Sequence, residues 1–127
     1  DLILAMFDEL LSEIEKQVEQ CMASDPSQYG RFTRAYIEFS LDSAWEGVRD
    51  KRTALAVLSI SDSELRAIWA TWLNEMQKKH ARTDGDDHLA LIRLTADGLW
   101  MAMLSNVNTP NLGTTRDQLI SATHRPG

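Results

Sequence analysis

The sequence predicts an all-α fold, an antiparallel bundle of about six helices. Two observations carry that expectation. Apolar residues recur at spacings of three and four through most of the chain, the period of a helix with one buried face. Turn formers are sparse, with 6 Gly and 3 Pro in 127 residues, too few for an all-β domain of this length. The same length suits one domain over residues 1–127 that buries about two-thirds of its unfolded surface.

The first segment runs from about Leu2 to Ala23. Ile3, Phe7, Leu10 or Leu11, Ile14, Val18 and Cys21 or Met22 form its apolar stripe, and Ser24-Asp25-Pro26 ends it because the residue before Pro resists helical geometry. The second spans about Ser27 to Leu41 on Phe32, Ala35, Tyr36 and Phe39. A third carries Trp45, Val48, Leu55, Val57, Leu58 and Ile60, with a kink or break expected at the charged run Arg49-Asp50-Lys51-Arg52. The fourth opens on a capping-box pattern, Ser61 with Glu64, followed by Leu65, Ile68, Trp69, Trp72, Leu73 and Met76 on one face. Arg82-Thr83-Asp84-Gly85 makes the next turn. The fifth, about Asp86 to Asn106, is apolar on two sides: Ile92, Ala96, Leu99 and Met103 oppose Leu91, Leu94, Gly98 and Met101. Two apolar sides imply two covers, and the second cover of a short domain often comes from another subunit. The sixth starts near Thr114 or Thr115 and carries Leu119 and Ile120 to about Thr123.

Composition excludes several classes. With 43% hydrophobic and 25% charged residues the chain is neither disordered nor fibrous. It holds no run of about 18 apolar residues, so no membrane span is expected. No basic stretch precedes an apolar one, and Cys21 is a lone cysteine, so the expected compartment is the reducing cytoplasm. A net charge of −6, with no Lys/Arg run longer than two, makes these residues a poor grip for DNA phosphates.

Catalytic signatures are missing from the sequence. It has no GxSxG elbow, phosphate loop, HExxH or CxxC, so no enzyme, catalytic residue, metal or cofactor is expected. Cys21 reads as a small buried hydrophobe. The acids and histidines from His80 to His88 match neither calcium nor zinc spacing; acids there suit the positive end of the next helix. Arg93 and Asp97, four apart, are placed to pair on one face or to anchor a ligand. Gly98 weakens its helix unless a second helix approaches closely. Trp69 and Trp72, with Met76 one turn on, suit either a core or an aromatic-lined cavity for a flat or cationic ligand.

The run Arg93-Leu94-Thr95-Ala96-Asp97-Gly98-Leu99-Trp100, near the chain end, resembles the penultimate helix of TetR-family transcription regulators. Arg31-Phe32-Thr33-Arg34-Ala35-Tyr36-Ile37 in the second segment is also similar to the family, and the likeness extends over almost the whole chain. The resemblance implies the family's C-terminal effector-binding and dimerisation domain. Its last two helices would form a four-helix bundle with a second copy, and the others would enclose an inducer pocket. Ligand there would change the spacing of two helix-turn-helix heads, whose half-sites mirror the dimer. No such head lies within these residues, which begin at Asp1 without a Met, so DNA is expected as a partner only through a head outside them.

The expected function is therefore ligand sensing for a transcriptional repressor, with a small, mostly apolar or aromatic effector. The candidate pocket wall is Phe7, Leu11, Tyr36, Phe39, Ser40, Trp69, Trp72, Met76, Arg93 and Trp100. The candidate homodimer interface is Leu91, Leu94, Gly98, Met101, Leu119 and Ile120. A solid core would favour a dimerisation or protein-interaction module instead. A cleft joining a His to a carboxylate would favour a small helical enzyme.

Overall fold

The structure is a computed structural model that describes residues 1–41, 55 and 57–124. All regular structure among them is helical: α1 (Leu2–Ala23), α2 (Arg31–Leu41), α3 (Ser63–Lys79), α4 (Ala81–Asp84), α5 (Asp87–Leu104) and α6 (Leu112–Thr123). Residues 57–61 are helical as well. The expected break at Arg49–Arg52, with Trp45 and Val48, lies outside the described residues.

Helix α1 has the predicted bounds. Asp1 caps it by accepting hydrogen bonds from the amides of Ile3 and Leu4, a contribution of about 1 kcal/mol in typical caps. Phe7, Leu10, Leu11, Ile14 and Val18 are its buried stripe. The second helix begins four residues after the expected Ser27, because the chain needs Asp25–Gly30 to reverse direction. Gly30 sits in the left-handed region at φ 77, where a side chain is strained. A Cβ there would also lie 2.8 Å from Arg34 Nη1 and 3.1 Å from the Thr123 carbonyl oxygen.

Helix α2 is the spine of the domain: α1, α4, α5 and α6 all pack against it. Its apolar residues divide between two cores. Phe32, Ala35 and Tyr36 join Phe7, Leu11, Ile14, Leu65 and Met76 in one, between α1, α2 and α3. Ile37 and Leu41 join Leu89, Ile92 and Ala96 in the other, between α2 and α5. Leu119 and Ile120 of α6 pack on the second core, and Cys21, Trp69 and Trp72 pack on the first.

The cap of α3 differs from the expected box. Asp62, not Ser61, accepts from the amides of Glu64 (2.9 Å) and Leu65 (3.1 Å). Ser61 still belongs to the preceding helical turn, where its hydroxyl donates to the Leu58 carbonyl. Asp62 is where the backbone turns extended, so the acceptor belongs there. After Lys79 the chain forms α4 where a plain turn was expected. Asp86 then caps α5, accepting from Leu89 N at 2.9 Å, as the acids before that helix suggested. The last helix starts at Leu112, two residues ahead of the expected Thr114, because Asn111 supplies the cap to the Thr114 amide.

The two apolar sides of α5 are real and unequal. Ile92 and Ala96 are buried, whereas Leu91 and Leu94 are each 63% exposed and Met101 41%. Between them a Cβ at Gly98 would meet nothing within 4 Å.

Candidate ligand-binding site

The site is built on α2, whose two ends meet different environments. At the N-terminal end the first free amides of the helix point at Asp84 of α4, which is 2% exposed. Asp84 accepts from the amides of Phe32 (3.3 Å) and Thr33 (2.7 Å), from the Thr33 hydroxyl (2.7 Å) and from the Thr83 hydroxyl (2.7 Å). A carboxylate 51 residues away thus caps α2. Arg93 of α5 lies beside it. Its Nη1 donates to Thr33 Oγ1 at 2.7 Å and to the Asp84 carbonyl at 3.2 Å, and its guanidinium sits 5.6 Å from the centre of the Phe32 ring. His80 stacks on the same ring at 5.0 Å, and its burial pulls its pKa down. One residue further along α2, Arg34 ties three segments together: it donates to Asp25 at 2.6 Å, to the carbonyls of Ser27 and Tyr29, and to Thr123 Oγ1.

The C-terminal end of α2 is open. Tyr36, Phe39 and Ser40 face a cavity of about 280 Å³, lined also by Phe7 of α1, Ser59 and Ile60, Arg66 and Trp69 of α3, and Asp97, Trp100 and Met101 of α5. Its size is near the lower end of small-molecule sites, which run from about 300 Å³ upward. Tyr36 donates its hydroxyl proton to Asp97 Oδ1 at 2.5 Å. Burial pushes the Asp97 carboxyl above the ordinary carboxylate range, against the opposing pull of the Tyr36 hydrogen bond and the Arg93 charge. Burial and the Asp97 charge together hold the Tyr36 phenol well above its usual value.

Of the residues expected in the wall, the structure brings Phe7, Tyr36, Phe39, Ser40, Trp69 and Trp100 to this cavity. It places the other four elsewhere. Leu11 and Met76 are buried in the first core. Trp72 is turned aside, its Nε1 donating to Glu15 of α1 at 3.2 Å and its ring 5.2 Å from that of Trp69. Arg93 is committed to the α2 N-terminus, and the expected Arg93–Asp97 pairing gives way to separate partners, Thr33 and Tyr36. Asp97, four residues from Arg93, is turned towards Tyr36 and lines the cavity, which the sequence reading did not assign to it. Ser59 and Arg66 carry no sequence signal and Ile60 only the apolar pattern of the third segment; the three reach the cavity from either side of the Asp62 cap.

Among the described residues no group of acids, His or Cys could hold a metal, and no helix is long and apolar enough to cross a membrane. No curated protein and no solved structure matches the chain. A family model described as "Tetracyclin repressor-like, C-terminal domain" matches residues 30–124, well over half of it. The matched stretch runs from the Gly30 turn through α6, and it contains both ends of α2 and every lining residue except Phe7. The chain therefore belongs to the tetracyclin repressor-like C-terminal domain family.

Proposed function

We propose that this domain senses a small organic effector in the cleft at the C-terminal end of α2. It transmits occupancy to a DNA-binding head outside these residues, within a cytoplasmic repressor that works as a homodimer. The cleft carries the reading: an aromatic wall with a few converging polar groups is the form that small-molecule sites take. The dimer is supported by the exposed side of α5, where Leu91 and Leu94 flank the open space at Gly98, whereas Met101, expected on the same side, also lines the cleft. Leu119 and Ile120 would contribute from α6, although both also pack on the second core. Such a side left in water is the kind of apolar patch that marks an interaction surface. Coupling between the two is built into α5, which presents Asp97 and Trp100 to the cleft and Leu94 and Gly98 outward. A ligand that shifts α5 shifts the dimer surface with it.

A thermal-denaturation series tests the sensing role. Melting temperature should climb with the concentration of indole or 1-naphthylmethanol once it passes the dissociation constant, and Trp69→Ala should remove the climb. A melting temperature independent of such compounds to millimolar concentration would leave the domain as a dimerisation module.

A further inference from the structure

Building on the reading of this cleft as an effector site, we infer that its ligand is an aromatic cation, a flat ring system bearing a protonated amine that sits on Asp97. The inner wall of the cleft is acceptor-rich. Ser40 hydrogen-bonds Tyr36, and Tyr36 spends its only proton on Asp97. Hydroxyl protons therefore run towards the carboxylate, and a ligand arriving there meets lone pairs and negative charge. Among the described residues, Asp97 is the only acid lining the cleft and Tyr36 is the donor it takes.

The neighbouring cations do not cancel it. Arg93 is held by Thr33 and the Asp84 carbonyl, and the Asp84 charge acts on it more strongly than that of Asp97. Arg66 also lines the cleft, but it is exposed and donates to the Ile60 carbonyl at 2.9 Å. Burial makes the Asp97 carboxylate costly to ionise, and an ammonium against it relieves that cost. The rings of Phe7, Tyr36, Phe39, Trp69 and Trp100 supply the rest. Their faces attract a cation, Trp most strongly, and they bury a flat apolar body equally well.

Calorimetric titration of the whole chain at pH 7 tests this with three probes of one skeleton: 1-naphthylmethylammonium, neutral 1-naphthylmethanol and anionic 1-naphthoate. The expected order is cation, alcohol, anion, with the cation about tenfold tighter than the alcohol or better. Asp97→Asn should erase the cation's advantage over the alcohol, and Tyr36→Phe, which keeps the carboxylate, should retain it. Equal or tighter binding of the alcohol or the naphthoate to the unaltered protein would overturn the charge assignment while leaving the cleft as a binding site. So would a cation preference that survives Asp97→Asn. Absence of saturable binding by all three would overturn the cleft reading together with it.

Discussion

Helix α2 meets one carboxylate at its N-terminus and a second through Tyr36, midway along it, and the two are held very differently. Asp84 is sealed in: two backbone amides and two hydroxyls donate to it, and Arg93 lies alongside. Asp97 has Tyr36 and an open cavity. A buried charge surrounded by donors caps a helix and locks α4 to α2. A half-buried carboxylate that takes one donor, Tyr36, from the described residues and opens on aromatic rings suits the ligand role proposed for it. One helix thus meets a sealed carboxylate at its first turn and, about one turn further on, a carboxylate that opens on the cavity.

The largest effect that would sharpen the contrast is expected at the sealed end. Asp84→Ala leaves the Phe32 and Thr33 amides without their acceptor and Arg93 without its nearest negative charge, so unfolding in urea should show a loss of about 3–5 kcal/mol. A loss under about 1 kcal/mol would show that the network is dispensable. Next comes Trp72→Ala. Trp72 packs on the first core and bonds Glu15 without lining the cleft, so about 1–3 kcal/mol of stability should go while probe affinity stays. Fluorescence titration of the variant would expose the opposite pattern. Gly98→Leu, on the outward side of α5, should weaken self-association about tenfold, or about 1.4 kcal/mol, by sedimentation, with the cleft unaffected. A chain that is already monomeric at micromolar concentration removes the dimer from the account.

The smallest effect is in pH dependence, where the charged groups work in opposite directions. Asp97 has a raised pKa, so its share of stability is full below its ordinary 3.8 and falls as pH rises through the raised value. Asp86 is lowered, chiefly by the Tyr29 hydrogen bond, so its share is present above 3.8 and is lost as pH drops through its folded value. Unfolding midpoints above pH 3.8 should therefore decline less with rising pH in Asp97→Asn than in the unaltered chain. Parallel curves would mean that Asp97 titrates without cost.

Much of the fold was legible because it rests on local rules. The stripe of α1, the Asp-Pro stop and the two-sided α5 all follow from residue spacing and emerged with nearly the expected bounds. The caps were legible in type but not in position: Asp62 replaced Ser61 because backbone geometry decides which of two adjacent acceptors is used. The cleft was half legible. Helix periodicity put Tyr36, Phe39, Ser40 and Trp69 on shared faces, but it could not separate Trp69 from Trp72, which share one face of α3. Their different fates depend on where Glu15 of α1 lies, a contact 57 residues apart in sequence. The Asp84 cap was hidden for the same reason. A cap supplied by a distant segment leaves no pattern near the helix that it caps.

Those two tryptophans make the most direct test of the central claim, that the cleft at the open end of α2 is a ligand site distinct from the packed core. Calorimetry with 1-naphthylmethylammonium should give one saturable site per chain in the unaltered protein. Trp69→Ala should abolish or strongly weaken it, and Trp72→Ala should preserve it despite a lower melting temperature. Equal affinity losses in the two variants, or no saturable binding to the unaltered chain, would contradict the account.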